Sequence, residues 1–425
     1  MLSFYLFLYV FSLSIPVFYH SAFLVGGLSL VHLILKGQAN SLRKLTNYQL
    51  GYFLFFIFGF VLVYSIVVLH STYDFSFFKT YINSFLSALC GIPLVHLYFN
   101  KYKDKSVDVL FLDLFNIFFV QSLIIVLAML IPSLKPFVNL FHRDSESAMD
   151  IDIFSGGLRT NALSGGLFFG LALSFGFALL CFLYVQSSLK EKVSIKKLFY
   201  FIMVNIGLMC TGRFGFVYLV SAFFIFISFG FFKKIRSLFY SVFFIFVSLA
   251  ILFFFYNYFD AVRDVFDNKI YPYFFELLKV YLETGEVKSA STNDLVNMYN
   301  INFNDYTLFL GDGLYTGSDG LYYQHSDVGY IRLLLLGGVP LLLYMILFFL
   351  FSINPIKKYR TKSVFFYYAV LSFFIISQFK GEAMITLVSL NNMVFLICSL
   401  ISLNKGKYAY NERNNGLVGC RGNDI

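Results

Sequence analysis

The sequence predicts an all-α, polytopic integral membrane protein of about twelve transmembrane helices, with a large helical loop on the outer side late in the chain. Three observations carry this. Of 425 residues, 59% are hydrophobic and only 13% are charged, whereas a soluble domain has about 25% charged and 45–50% apolar residues. A chain so poor in polar atoms cannot cover its own surface against water, and the same composition excludes disorder. The apolar residues also come in runs of about 20, the length a ~30 Å hydrocarbon layer demands at 1.5 Å per residue. Finally, the basic connections between runs all fall on one side when twelve spans are assumed.

Taken in order, Met1 to Lys36 is one apolar stretch interrupted by Pro16 and His20, predicting two short helices with a turn at PVFYH. It lacks the basic start of a signal peptide and is too long and unbroken for its apolar region. Later spans are expected over Tyr48–His70, Phe78–Tyr98, Val109–Pro132, Ala162–Gln186, Leu198–Cys210, Phe214–Phe232 and Leu238–Tyr258. The last three follow at Val328–Ser352, Val364–Phe379 and Ala383–Leu403. Alternate connections read KGQANSLRK, NKYKDKS, SSLKEKVSIKK, KKIRS, NPIKKYRTK and the tail from Asn404, and hold most of the 32 Lys and Arg. Basic loops collect in the cytoplasm, so both termini are expected there. The net charge of +9 is thereby assigned to membrane topology, with no nucleic acid as partner.

The chain divides into a first helical block (residues 1–258), a large outer loop (259–327), a closing helical block (328–403) and a polar cytoplasmic tail (404–425). In the outer loop, Pro272 suits a first helical position, Phe274, Phe275, Leu277, Leu278, Tyr281 and Leu282 recur at helical spacing, and Gly285 stops the run. A second short helix is expected at STNDLVNMY, with Ser291 or Thr292 as cap and Leu295 and Met298 on one face.

Charged groups inside a bilayer cost about 2.5–3.5 kcal/mol each, so those on the outer side call for a reason. Arg159 stands in GGLRTNALSGGLFFG, where a helical register would align Arg159, Leu163, Gly166 and Gly170 on one face; the bland alternative is an interfacial anchor. Arg213 sits in TGRFGF, a hairpin of almost no length, with Gly212 and Gly215 leaving the backbone open around it. The segment LFLGDGLYTGSDGLYYQHSDVGYIRLLLLGGVP, residues 308–340, concentrates Gly, Asp, a His and an Arg at the entry to a span. A helix beginning near His325 would place His325, Gly329 and Arg332 on one face, with Gly329 as a notch. Asp327 could be a simple helix-start acid and Asp312–Gly313 a simple turn. Lys380 and Glu382 are expected to form a local pair. GDGLYTGSDG lacks the EF-hand ligand spacing, and the remaining His and the 5 Cys are dispersed, so no metal is implicated.

Arg159, Arg213 and Arg332, gathered on the outer face, imply an anionic ligand, expected to be a diphosphate that all three stabilise, since guanidinium holds phosphate oxygens bidentately and keeps its charge. At that depth the natural anion is a lipid-linked phosphate or diphosphate. A diphosphate leaves readily once arginines neutralise it, and an adjacent His325 or Asp327 can take the proton from an attacking hydroxyl, with no cofactor. The layout resembles the bacterial O-antigen polymerase (Wzy-type) and O-antigen ligase superfamily. The resemblance rests on Arg159-x10-Gly170, the TGR hairpin at Arg213, LFLGDGLY, and HSDVGYIRLLLLGGVP.

The resemblance implies a GT-C-like, metal-independent glycosyltransferase of the plasma (inner) membrane. It would act on undecaprenyl-diphosphate-linked oligosaccharide at the periplasmic or extracellular face. Arg159 and Arg213 would bind the donor diphosphate and His325 would be catalytic, while a chain-length regulator and a flippase would be partners. Two departures are visible: Ser326 follows His325 where the ligase pattern commonly has Asn, which favours polymerase, and a single Arg-x10-Gly element is present. The rival expectations are a ligase and a lipid-linked oligosaccharide flippase, for which intramembrane Asp113 and Asn116 speak.

Overall fold

The computed structural model describes residues 1–15, 19–131, 133–142, 163–166, 168–188, 194–228, 267, 282, 290–301, 303–360 and 363–418. Within them the chain is helical, and the extended structure amounts to one isolated bridge between Thr316 and Tyr322. The helices are α1 (Leu2–Phe11), α2 (Ser21–Leu35), α3 (Asn47–Leu69), α4 (Ser76–Tyr102), α5 (Ser106–Leu130), α6 (Leu134–Asn139), α7 (Phe168–Ser188), α8 (Ile195–Thr211) and α9 (Val217–Ser228). After them come α10 (Ala290–Tyr299), α11 (Asp305–Leu310), α12 (Gly329–Ile353), α13 (Ser363–Gln378) and α14 (Val388–Val418).

Four stretches are long and apolar enough to cross a membrane: Asn47–Leu69, Ser76–Leu130, Phe168–Ser188 and Gly329–Lys358; shorter apolar helices accompany them. The first of these starts where the sequence sets a boundary, because Thr46 and Gln49 form a reciprocal capping box at the head of α3. Helix α7 is the most enclosed, with 83% of its most apolar 18-residue stretch buried against 33% for α3. The exposed side of α3 carries Leu54, Phe58, Val61 and Leu69, an apolar face of the kind that lipid covers. The expected spans Tyr48–His70, Phe78–Tyr98, Val109–Pro132, Val328–Ser352 and Val364–Phe379 have helical counterparts in α3, α4, α5, α12 and α13. The expected span Leu238–Tyr258 and the first outer-loop helix near Pro272 lie outside the described residues.

Two boundaries depart from expectation, both for the same reason. Helix α7 begins at Phe168, not Ala162, so Gly166 precedes it, and Leu163, Gly166 and Gly170 share no helical face. Helix α14 begins at Val388, not Ala383, and the residues between Gly381 and Thr386 form a buried, irregular connection. In each place apolar sequence suggests continuous helix, but polar side chains inside the bundle satisfy the backbone instead. Gln121 grips Leu163 at both its amide (3.1 Å) and its carbonyl (2.5 Å). Gln378 Oε1 accepts from the Ala383 amide at 2.5 Å and the Met384 amide at 3.4 Å. Irregular backbone at such depth is tolerated where protein or a cavity replaces water.

Helix α10 docks on the cap end of the bundle, opposite the basic loops. Leu295 and Met298, together with Ile301, Phe303 and Tyr323, pack on Val328, Ile331 and Leu335 of the α12 entry. Ser291 and Thr292 lie within α10 and do not precede it as caps. The Tyr299 hydroxyl donates to the Phe379 carbonyl at 2.6 Å, fixing the far end of the helix to the connection after α13.

Candidate functional site: an arginine clasp

Helix α12 is broken, and the break builds the site. Gly338 has φ +62°, a conformation favouring glycine, and Pro340 follows. Proline has no N–H, so the Leu336 carbonyl loses its helical partner, and the kink frees that of Leu335. Both accept from the preceding loop instead: Asp312 N–H donates to Leu335 at 2.6 Å and Gly313 N–H to Leu336 at 3.1 Å. Gly311, at φ +77°, lies so close that a Cβ there would stand 2.5 Å from the Gly337 amide nitrogen. LFLGDG and LLLLGGVP are thus two halves of one backbone joint. Asp312 and Gly313 do more than turn the chain. Thr307 donates to Asp312 Oδ1 at 2.6 Å, and Thr72 donates to the Gly313 carbonyl at 2.6 Å.

Beyond the joint, residues 315–323 fold back as a tight hairpin closed by Gly317 N–H to the Leu321 carbonyl (2.7 Å) and Tyr323 N–H to the Tyr315 carbonyl (3.2 Å). Asp74, just before α4, anchors it: its Oδ2 accepts from the Tyr315 and Thr316 amides, each at 2.7 Å. Desolvation opposes ionisation of Asp74, but hydrogen bonds from Ser76, Thr316 and Tyr315 outweigh it and hold the carboxyl below the usual range.

The hairpin closes on Arg332, in the first turn of α12. Its Cζ lies 3.9 Å from the Tyr315 ring centroid and 3.6 Å from that of Tyr322, so the guanidinium is sandwiched between two aromatic faces. A cation at a helix N-terminus is opposed by the dipole, and this one is only 7% exposed. The compensating charge is Glu382, whose Oε2 stands 3.5 Å from Arg332 Nη1 and accepts from the Tyr315 hydroxyl at 2.6 Å. Burial pushes the Glu382 carboxyl up, against the opposing pull of Arg332 and the Tyr315 hydroxyl. Arg332 Nε and Nη2, Gln378 Nε2 and Glu382 Oε1 have no hydrogen-bond partner although all are buried.

The sequence-predicted residues fall around this clasp unevenly. Arg159 lies outside the described residues. Arg332 is central, but Glu382 already balances its charge, so it does not present a bare cation to an anion. Glu382 itself reaches Arg332 and Tyr315, where the sequence suggested a local pair with Lys380; Lys380 Nζ lies 5.9 Å from the Phe214 ring centroid. Arg213 is half-buried in the short turn between α8 and α9. That turn is joined to the same connection through Phe214, whose ring lies 5.8 Å from that of Phe169. Phe169 in turn covers Gly381. Gly215 does not leave space beside Arg213: a Cβ there would come within 2.4 Å of the Ala172 carbonyl, so this glycine lets the turn press on α7.

His325 is not on the face of α12. The helix starts at Gly329, and His325 closes a separate short turn with φ +52°, preceded by Gln324 at φ +56°. The Gly329 notch is filled by Gln378 and the Gly381 carbonyl, each 2.8 Å from a Cβ placed there. His325 is 70% exposed, its Nε2 3.6 Å from Asp319 Oδ2, too long for a hydrogen bond. Two consecutive non-glycine residues in the left-handed region are unusual and cluster at functional sites. Asp327 is exposed and lies within electrostatic reach of Arg332 and Lys380.

Sequence reasoning missed Tyr315, Tyr322, Gln378 and Asp74. The two tyrosines flank a Gly-Ser-Asp-Gly turn in YTGSDGLY, a hairpin signal that places them together. Nothing comparable marks Gln378 or Asp74. Among the described residues no group of His, Cys, Asp or Glu assembles as a metal site. A cavity of about 230 Å³ lined by His32, Lys36, Gln38, Asn100 and Lys101, among others, lies at the basic end, apart from the clasp. No family model matches the chain, and neither a curated protein nor a solved structure does.

Proposed function

We propose that the chain is a membrane glycosyltransferase that polymerises lipid-linked oligosaccharide repeat units. It would move the growing glycan from a lipid diphosphate to a sugar hydroxyl of the next lipid-linked unit. In this reading the clasp faces outward in a twelve-span, GT-C-like arrangement of the plasma membrane. Arg213, with Arg159, neutralises the departing diphosphate, and His325 or Asp327 receives the acceptor proton. The observation that carries the reading is the convergence at the cap end. The Arg213 turn between α8 and α9, Arg332 of α12 and Asp327 just before it approach the connection after α13, which carries Lys380 and Glu382 and is buried from Gly381 to Thr386. Such irregular backbone among apolar helices is tolerated where it is buried in protein or lines a water-filled cavity.

Replacing Arg213 with alanine is expected to abolish long glycan chains while leaving the protein at normal membrane levels and single units displayed outside. Normal chain-length ladders from that variant would overturn the proposal. A transporter or flippase is the second reading, favoured by the break in α12 and the short helices α1 and α2, since discontinuous helices build transporter sites. Asp113, the best intramembrane argument for it, is locally satisfied: Tyr98 donates to it at 2.8 Å, and Lys101 is near. Loss of a flippase strands repeat units inside the cell, the opposite of what the polymerase reading expects. A ligase shares the site and differs in its acceptor, a finished lipid or protein in place of another repeat unit.

A further inference from the structure

The clasp has hydrogen-bonding capacity that the protein does not use. Arg332 and Glu382 are 7% and 6% exposed, yet two guanidinium donors, the Gln378 amide donor and one carboxylate oxygen remain unpaired. Leaving such groups unsatisfied is costly, the more so when they are charged, so buried ones are nearly always matched. The charge balance says what would match them. One guanidinium and one carboxylate sum to zero, so the Arg332–Glu382 pair presents no net charge to a phosphate. What it offers is donors beside an acceptor, the complement of a neutral group that both accepts and donates, namely a hydroxyl.

The walls agree with that chemistry. Tyr322 lies across the guanidinium with its ring 3.6 Å from Cζ, and it is 44% exposed while Tyr315 on the other side is 9% exposed. One aromatic wall is therefore fixed and the other stands at the surface. Tyr315 is held from two directions, by its hydroxyl on Glu382 and its amide on Asp74. Tyr322 belongs to the far strand of a hairpin joined by a single isolated bridge. The guanidinium covers the inner face of Tyr322, so its exposed outer face is the one left to meet the apolar C–H face of a sugar whose polar edge reaches the floor.

We propose that Arg332, Glu382 and Gln378 form a subsite for a carbohydrate hydroxyl, entered at the exposed edge of Tyr322. Taken with the transferase reading, on which this part rests, it holds the acceptor sugar. Glu382 accepts from the hydroxyl, and Arg332 and Gln378 donate to it or its neighbour, while the diphosphate is held elsewhere by Arg213.

The chain contains no Trp, so Tyr322→Trp in the full-length protein creates a single fluorescent reporter at the entrance. Oligosaccharide fragments released from the host's own surface glycan should change its emission saturably, and inorganic diphosphate should not. In the Glu382→Gln background the oligosaccharide affinity should fall about tenfold or more, the loss expected for a hydrogen bond to a charged group. Calorimetry on the protein with Tyr322 intact should return the same affinity as the reporter. If Glu382→Gln does not accumulate folded, Gln378→Ala is measured in its place, with a smaller loss expected. No saturable response to oligosaccharide, an unchanged response in those variants, or a response to diphosphate alone would each overturn the subsite. Glycan binding without any polymer formation would sink the transferase reading and leave the subsite standing.

Discussion

Two arginine–carboxylate pairs stand at opposite ends of this bundle, and they are built to different specifications. At the basic end Arg360 Nη2 meets Asp108 Oδ2 at 2.6 Å, with Nη1 3.5 Å from the Ser188 hydroxyl. Tyr359 donates to the other Asp108 oxygen at 2.8 Å. That pair is partly exposed and close-fitting, and it ties the connection between α12 and α13 to α5. At the cap end Arg332 and Glu382 are deeper and looser, 3.5 Å apart, with donors and an acceptor unmatched. A pair serving stability alone would be expected to close and fill its hydrogen bonds, as Arg360 and Asp108 do. Incomplete satisfaction in a more buried place points to something other than stability.

The largest effect should come from Glu382→Ala, which strands the Arg332 cation in the interior. A loss of about 3–5 kcal/mol is expected, read by denaturant titration of the purified protein in detergent. Combining Arg332→Met with Glu382→Leu removes both charges and should restore most of that loss, since apolar replacement of a buried pair is commonly neutral or better. A double variant as unstable as the single one would mean that the pair is structural and the contrast with Arg360 is mistaken. At the basic end Arg360→Ala should cost about 1 kcal/mol or less after solvent screening, and the difference from wild type should shrink in high salt. The smallest effect concerns Asp74. Its folded carboxyl titrates below its unfolded value, so its contribution is present above about pH 4 and is lost as pH falls through the lower folded value. Hydrogen exchange at the Tyr315 and Thr316 amides should therefore gain extra opening in acid, and Asp74→Asn should flatten that dependence.

Legibility differed between helices and site. The apolar runs located α3, α4, α5, α12 and α13 because about 20 lipid-compatible residues can do little else. The glycines and aspartates of residues 308–340 were visible as unusual, but their pairing was not. Asp312 reaches Leu335, and Tyr322 reaches Arg332, only once the chain has turned back on itself. The His325 register failed because helical spacing was extended across residues whose backbone is left-handed. Glu382 was read beside its sequence neighbour Lys380, whereas its near partners arrive from residues 315 and 332.

By itself the sequence determined that this chain is apolar and helical, with runs long enough to cross a membrane, because composition and run length act locally and leave few alternatives. It also marked Arg213, His325, Asp327 and Arg332 as charges needing a reason. Only the tertiary structure decided that Arg332 is neutralised, that Gly338 and Pro340 open α12 to receive a loop, and that a hairpin of two tyrosines covers the result. Those outcomes depend on backbone carbonyls and side chains meeting across long stretches of chain, and no periodicity along one helix encodes such a meeting.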